Sequence, residues 1–186
     1  MSATTITLPS SVDDIDDTID ALWEPLRGQP LLDRVFYTAS TVGDFSVIWH
    51  GYNIGRLVTG KATKQQFARL AIGLAVESLI VNQGIKRVFG RSRPSTAEDR
   101  PRHLRQPSTS SFPSGHASAA TVAALLLSEN TRARPLIIAM AATVALSRVH
   151  VRIHHASDVV AGAAVGAALG ATWKRVWPLE AGSSRA

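Results

Sequence analysis

The chain has 186 residues, of which 45% are hydrophobic and only 18% are charged, and its formal net charge is +6. This length predicts a single domain, and the charged fraction lies below the roughly 25% of ordinary soluble domains, which favours a membrane protein. The lack of cysteine excludes disulfides and thiolate zinc sites. A basic protein of this kind suits an anionic lipid, a phosphorylated substrate or a nucleic acid as its partner.

Residues 1–30 predict a polar tail followed by a helix. From Ser10 to Trp23, apolar residues recur every three or four positions, the spacing of an amphipathic helix. Its aspartates fall mostly in the early turns, where the helix dipole favours negative charge. The pattern suits a membrane surface and the surface of a soluble domain equally well. We expect this helix to precede a membrane domain at 31–177 and a short tail at 178–186.

Five apolar segments predict five membrane-spanning helices in an all-α bundle. They are residues 31–58, 65–85, 114–128, 135–149 and 157–173. The last three need their flanks to reach the roughly 20 residues that span a bilayer. Asp44 interrupts the first segment and would be costly in lipid unless it faces the bundle interior or lies near an interface; Glu77 interrupts the second, where a structural hydrogen bond inside the bundle is the ordinary role. Gly162, Gly166 and Gly170 recur every four residues, which predicts close packing of the last helix.

A polar segment separates the second and third apolar segments. Residues 91–112 contain three prolines and many arginines and serines, so they predict a long functional loop rather than a core element. Several of its arginines suit anionic head groups and a solvated basic face equally well. These are Arg91, Arg100, Arg102 and Arg105. If successive helices alternate in direction, the two ends of this loop meet the 147–158 connection at one membrane face.

Three polar clusters are therefore expected to converge at that face. They contain Lys86 and Arg93, then Ser114, Gly115 and His116, and finally Arg148, His154 and Asp158. The cations can hold a phosphate, and the guanidinium groups can each bind two of its oxygens. Ser114 and Gly115 open a helix, whose free N–H groups favour an anion. Asp158 can orient His154 as a nucleophile, and His116 can protonate a departing oxygen.

These residues give the chain a resemblance to the type 2 phosphatidic acid phosphatases, which share a site with vanadium haloperoxidases and bacterial acid phosphatases. The family pattern is Lys, six residues and Arg-Pro; then Pro-Ser-Gly-His; then Ser-Arg, five residues, His, three residues and Asp. The chain matches all three parts at full spacing, from Lys86 to Pro94, from Pro113 to His116 and from Ser147 to Asp158. The resemblance covers roughly residues 65–175.

The resemblance implies a membrane lipid phosphatase that needs neither a metal nor another cofactor. His154 would attack phosphorus and form a phosphohistidine, Asp158 would orient it, and His116 would protonate the leaving alkoxide and later help to activate water. The phosphoryl oxygens would be bound by Lys86, Arg93, Arg148, Ser114 and the Gly115 N–H. The substrate would be phosphatidic acid, phosphatidylglycerol phosphate or a polyprenyl (di)phosphate. No nucleic-acid partner is expected.

Basic residues also predict the orientation in the cell membrane. The side away from the three clusters carries Arg56, Lys61, Lys64, Arg132, Arg134, Lys174 and Arg175. Because these loops are short, the positive-inside rule places them in the cytoplasm. The catalytic face of this multi-pass protein would then be extracytoplasmic.

Other functions remain compatible with the same residues. A lipid phosphotransferase or a vanadate-dependent peroxidase would use the same pocket, and a non-catalytic membrane protein would bind anionic lipid there. A metal site at His150, His154 and Asp158 would make His154 a ligand rather than a nucleophile. The sequence leaves the oligomeric state open.

Overall fold

A computed structural model describes residues 6–94, 104–129 and 131–179. Within these ranges the chain forms α1 (Ser10–Trp23), α2 (Pro30–Gly43), α3 (Val47–Val58), α4 (Lys64–Ser78), α5 (Gly115–Leu127), α6 (Arg134–His150) and α7 (Ala156–Val176). A π-helical turn, Leu79–Gly84, and a 3-10 turn, Ile85–Arg87, prolong α4. The predicted all-α architecture is confirmed, with one isolated β-bridge between Ile6 and Phe89. Most of the tail predicted at 178–186, the first five residues, Arg100 and Arg102 lie outside the described ranges.

Local sequence explains where several helices begin. Thr63 and Gln66 form a capping box at the start of α4, in which each side chain binds the other residue's backbone N–H, at 3.1 and 3.0 Å. Ser114 caps α5 by accepting a hydrogen bond from the Ala117 N–H at 3.4 Å. Proline occupies the first turn of α2 and of α6, where its missing N–H leaves no helical bond unmade.

The glycines of α7 allow its close packing against α5, as predicted. A Cβ atom at Gly162 would collide with the backbone oxygen of Ser114, and one at Gly166 with that of Ser118. At the start of both helices, the Ser114 N–H donates to the Asp158 backbone oxygen at 2.9 Å. The glycine spacing thus fixes the second sequence cluster against the third.

Large apolar side chains lie both in the core and on the outer surface of the bundle. Its main core contains Trp49, Leu70, Leu74, Val122, Leu126, Ile137 and Val144. Large apolar side chains that face outward include Leu22, Val58, Leu79 and Val160. Among the described residues, two helices are long and apolar enough to cross a membrane, 64–87 and 156–176. Outward apolar side chains of this kind suit contact with lipid.

The segment 31–58 differs from the single spanning helix predicted for it. Phe45 and Ser46 have φ angles of 52° and 59°, which end α2 and start α3 in a new direction. L-residues adopt this left-handed region rarely, so apolar periodicity alone does not signal the break. The break places Asp44 in a turn at the end of the bundle rather than inside a span.

The predicted N-terminal helix is present as α1, and it is docked against the start of α7. Asp16 is only 2% exposed. Its carboxylate accepts hydrogen bonds from the Ser157 N–H at 2.8 Å and from the Ser157 hydroxyl at 2.5 Å. α1 therefore adds a carboxylate to the first turn of the helix that carries Asp158, where His155 and Asp158 form a capping box.

Candidate active site

One cavity of about 510 Å³ collects residues from all three predicted clusters. Its walls come from the turn after α2, the C-terminal half of α4, the start of α5, and the end of α6 with the turn that follows. Five of the predicted site residues line it. They are Lys86, Gly115, His116, Arg148 and His154. The convergence inferred from alternating helix directions is thus present in the fold.

His154 lies in the short turn between α6 and α7. Its backbone N–H and that of Ile153 both donate to the Arg148 carbonyl at 3.1 Å, which fixes the turn against the end of α6. The ring nitrogen Nδ1 lies 3.4 Å from Oδ2 of Asp158, and Nε2 lies 3.3 Å from Nη1 of Arg93. Burial, opposed by Asp158, lowers the pKa of His154 well below its ordinary value. The ring is therefore neutral, with Nδ1 towards Asp158 and Nε2 towards Arg93.

Asp158 is fully buried behind His154 and is held by two further groups. Its Oδ2 accepts from the His155 N–H at 2.9 Å, and its Oδ1 accepts from Nη1 of Arg91 at 2.8 Å. Arg91 also donates to Asp13 at 2.7 Å and to Asp16 at 2.6 Å. Burial alone would lower the pKa of Arg91, but these hydrogen bonds to carboxylates raise it. Arg91 therefore joins α1 to the carboxylate that orients His154.

The arginines of the loop thus have different environments. Arg91 is neither a head-group contact nor part of a solvated basic face, the two roles considered from sequence. The partners of Arg91 lie far away in the sequence, so the residues around Arg91 do not predict these pairs. Arg105 lines the cavity, and its guanidinium carbon lies 4.8 Å from the centre of the Phe45 ring. Arg105 is therefore a loop cation at the cavity wall.

The other predicted phosphate ligands differ in their positions. Arg148 is buried at the cavity wall and donates to the Ser40 hydroxyl, and Lys86 is also buried there. Arg93 donates to the carbonyl oxygen of Ile153 at 2.9 Å and lies beside the His154 ring, outside the residues that line the cavity. Ser114 is fully buried and caps α5, so its hydroxyl is engaged within the helix.

His116 has a carboxylate partner that the sequence motifs do not contain. Its Nε2 lies 3.1 Å from Oδ1 of Asp44, in the turn after α2. Burial alone would raise the pKa of Asp44, but the hydrogen bond to His116 and the charges of His116 and Arg148 lower it. A Cβ at Gly43 would lie 2.8 Å from the His116 ring. Gly43 and Asp44 together thus give the ring its room and its orientation.

The alternative metal site is not assembled. His150 faces away from the other two residues, since its Nε2 lies 2.8 Å from Asp33 and its Nδ1 accepts from the Trp23 indole at 3.1 Å. Across the three described ranges, no group of three potential ligands is close enough to hold a metal ion. His154 and Asp158 therefore form a pair rather than part of a ligand set.

Comparisons with known proteins agree with this site. A family model described as the PAP2 superfamily matches residues 66–180, a range that contains all three motifs. A decaprenylphosphoryl-5-phosphoribose phosphatase from Mycolicibacterium smegmatis is 32% identical over 149 residues, which cover 79% of this chain and 80% of that protein. A Mycobacterium tuberculosis protein of the same name is 42% identical over 84 residues, covering 44% of this chain and 45% of that protein.

Two crystal structures share the fold. One is a transmembrane PAP2-type phosphatidylglycerolphosphate phosphatase from Bacillus subtilis, with a TM-score of 0.69 and 23% identity over 90% of this chain and 87% of that chain. The other is LpxE from Aquifex aeolicus, with a TM-score of 0.68 and 24% identity over 85% of this chain and 93% of that chain. At this level of identity, the likeness is one of architecture.

Proposed function

The chain belongs to the PAP2 superfamily, and on this premise we propose that it removes the phosphate from a phosphomonoester on an isoprenoid-linked sugar, through a phosphohistidine at His154. It is a lipid phosphatase, a hydrolase of the membrane. The observation that carries the mechanism is the single cavity that holds His154, His116, Lys86 and Arg148 together. Asp158 supports His154 from behind at 3.4 Å.

In the first step, Nε2 of His154 attacks phosphorus and the bond from phosphorus to the leaving oxygen breaks. His116, oriented by Asp44, gives its proton to that oxygen, which departs as an alcohol. Asp158 stabilises the positive charge that develops on the His154 ring. The cations Lys86 and Arg148 at the cavity wall stabilise the charge on the phosphoryl oxygens.

In the second step, water attacks the phosphohistidine. His116, now neutral, accepts a proton from the water, the nitrogen–phosphorus bond breaks, and inorganic phosphate leaves. Both histidines then return to their starting states. Arg93 lies 3.3 Å from Nε2 of His154, where it can bind a phosphoryl oxygen in each step. Ser114 and the Gly115 N–H complete the set, with Ser114 acting through the cap that positions the start of α5.

The substrate class rests on the curated relatives. The Mycolicibacterium protein, matched over most of both chains, acts on a phosphoribose joined to decaprenyl phosphate. That substrate differs from the polyprenyl (di)phosphates expected from sequence, because the phosphate to be removed is on the sugar. Phosphatidic acid and phosphatidylglycerol phosphate are the competing lipid substrates, and a direct comparison separates them.

We propose a multi-pass arrangement in which α3, α4, α5, α6 and α7 cross the membrane, while α1 and α2 lie at the catalytic face. The membrane domain would cover 31–177, with α1 docked onto it through Arg91 and Asp16. The basic residues at the opposite end of the bundle support a cytoplasmic location for that end. The cavity would then open on the extracytoplasmic side.

The test is phosphate release by the detergent-purified protein in the presence of EDTA. The panel contains a short-chain isoprenoid phosphoryl ribose 5-phosphate, phosphatidic acid and phosphatidylglycerol phosphate. Wild type should release phosphate and prefer the sugar lipid, and His154→Ala should release none. His50→Ala is the matched control, because His50 lines the same cavity outside the three motifs. Release by His154→Ala at the wild-type rate would overturn the mechanism, and a preference for phosphatidic acid would overturn the substrate class.

A further inference from the structure

Glu77 is a buried carboxylate that the mechanism does not use. It lies on α4, is only 2% exposed, and lines the cavity that contains His116 and His154. Among the described parts of the chain, its Oε1 has no hydrogen-bond partner. A buried carboxylate oxygen without a partner is costly, so such atoms usually have one. The bundle partner expected from sequence is Ser118 on α5, whose single hydroxyl can supply only one of the hydrogen bonds that the two carboxylate oxygens can accept.

Glu77 has both polar side chains and small apolar side chains around it. Ser118 on α5 is close enough for its hydroxyl to interact with the carboxylate, although the pair falls short of full hydrogen-bond geometry within the described ranges. On the same wall of the cavity, Asn82 donates to the Ser78 hydroxyl at 3.1 Å. Ala75 and Ala71 also line the cavity, two and six residues before Glu77 respectively, and their small side chains fill little of it.

The position of Glu77 relative to the reaction centre follows from α4. Asn82 abuts the start of α5, since a Cβ at Gly115 would lie 2.9 Å from its Oδ1. Glu77 comes five residues before Asn82, which places it roughly 7 Å further from that end at about 1.5 Å per residue. One sugar ring attached to a phosphate covers a distance of this order. The carboxylate is thus level with the group that a bound phosphate would carry.

Charge decides what kind of group this can be. Lys86 and Arg148 stand at the wall where the phosphoryl group is bound, whereas Glu77 offers that group no positive charge. An isoprenoid or acyl chain offers no hydrogen-bond donor to a carboxylate. Hydroxyl groups do offer donors, and a carboxylate accepts them in charge-assisted hydrogen bonds. The ligand that satisfies the free oxygen is therefore a hydroxyl-bearing group next to the phosphate.

We propose that Glu77 is a substrate-binding residue that accepts a hydrogen bond from a ring hydroxyl of the sugar. This inference rests on the proposed function, and it names the feature of the substrate that the cavity recognises. It separates a sugar lipid from phosphatidic acid, whose phosphate is joined to an esterified glycerol without free hydroxyls. A site built around a substrate hydroxyl rejects the analogue that lacks it, because its own polar group is left unpaired.

The test uses two lipids that differ in one hydroxyl group. These are the short-chain isoprenoid phosphoryl ribose 5-phosphate and its 2-deoxyribose analogue, each measured for kcat/KM with purified protein in detergent. Wild type should prefer the ribose lipid by about tenfold or more. In Glu77→Ala this preference should fall towards one, and Glu77→Gln should show an intermediate value. His50→Ala is the matched control and should keep the wild-type preference, because His50 lines the same cavity from α3, outside the three motifs.

The outcomes separate this inference from the proposed function. If wild type releases phosphate from neither lipid, the proposed function fails. If wild type hydrolyses both lipids at equal kcat/KM, the function stands and the role of Glu77 is refuted, whether or not the variants fold. A preference that persists in Glu77→Ala, or that His50→Ala also removes, contradicts the inference as well. The melting temperature of each variant shows whether a loss reflects unfolding.

Discussion

Replacing Asp44 by asparagine isolates the contribution of the second His–Asp pair. Asp44 lies 3.1 Å from Nε2 of His116, and asparagine keeps the size of the side chain while removing its charge. A hydrogen bond that involves a charged group contributes about 1.5–3 kcal/mol. If this energy acts on the protonated His116 in the transition state, Asp44→Asn should lower kcat by roughly 10- to 100-fold, at about 1.4 kcal/mol per tenfold.

The leaving group provides a readout that a merely structural role would not affect. An alkyl phosphate needs protonation of its departing oxygen, whereas p-nitrophenyl phosphate releases p-nitrophenolate, a good leaving group that needs little protonation. The loss of kcat in Asp44→Asn should therefore be large for the alkyl phosphate and small for the aryl phosphate. The assay is phosphate release at saturating substrate in detergent, with both substrates compared in the same preparation.

Asp33→Asn is the matched control for this prediction. Asp33 also pairs with a histidine, His150, at 2.8 Å, but this pair lies outside the cavity. The control should leave the ratio of alkyl to aryl turnover unchanged even if it lowers stability. Equal losses for both leaving groups in Asp44→Asn, or no loss for either, would refute the assignment of Asp44 as the residue that positions His116.

The remaining predictions concern stability, ionisation and metal dependence. Gly166→Ala should destabilise the bundle by about 1–3 kcal/mol, because its Cβ would collide with the backbone of Ser118; Gly55→Ala, where a Cβ meets nothing within 4 Å, should not lower the melting temperature in detergent. Because burial lowers the pKa of His154, its ring should remain neutral as the pH falls through about 6.5 and become protonated only below that pH. ¹⁵N-histidine spectra of wild type, compared with those of His154→Ala, would show this. Protonation of His154 above that pH would contradict the prediction. EDTA should leave phosphate release unchanged, and a loss that added metal restores would revive a metal site. Vanadate should inhibit, because it can take the five-coordinate geometry of the transferring phosphoryl group, and full activity at saturating vanadate would count against the site.

The convergence of the three motif clusters is the part of the site that the sequence predicts best. It follows from the alternating direction of successive helices, which brings Lys86, His116 and His154 to the same end of the bundle. The glycine spacing in the last helix also predicts a close contact, because small side chains are the local requirement for it. Both inferences use features that each segment carries by itself.

The residues that the sequence does not reveal are those that act through distant partners. Asp44 reaches His116 because the chain turns at Phe45 and Ser46. The apolar periodicity of the sequence does not predict a left-handed backbone at these two residues. Arg91 lies within the first motif at a variable position, and its bonds run to Asp158 and to α1. Pairings of this kind depend on the assembled fold, so a pattern confined to one segment does not predict them.

The most direct test of the proposed mechanism is to detect the phosphoryl group on His154. Wild type and His154→Ala would be mixed with ³²P-labelled isoprenoid phosphoryl ribose 5-phosphate, quenched in alkali within milliseconds, and digested for peptide mapping. A phosphohistidine is stable in alkali and labile in acid, so the label should survive the quench on the peptide that contains His154 and be lost on acidification. The variant should carry no label. Turnover by wild type with no labelled peptide, or with the label on another residue, would contradict the proposed mechanism.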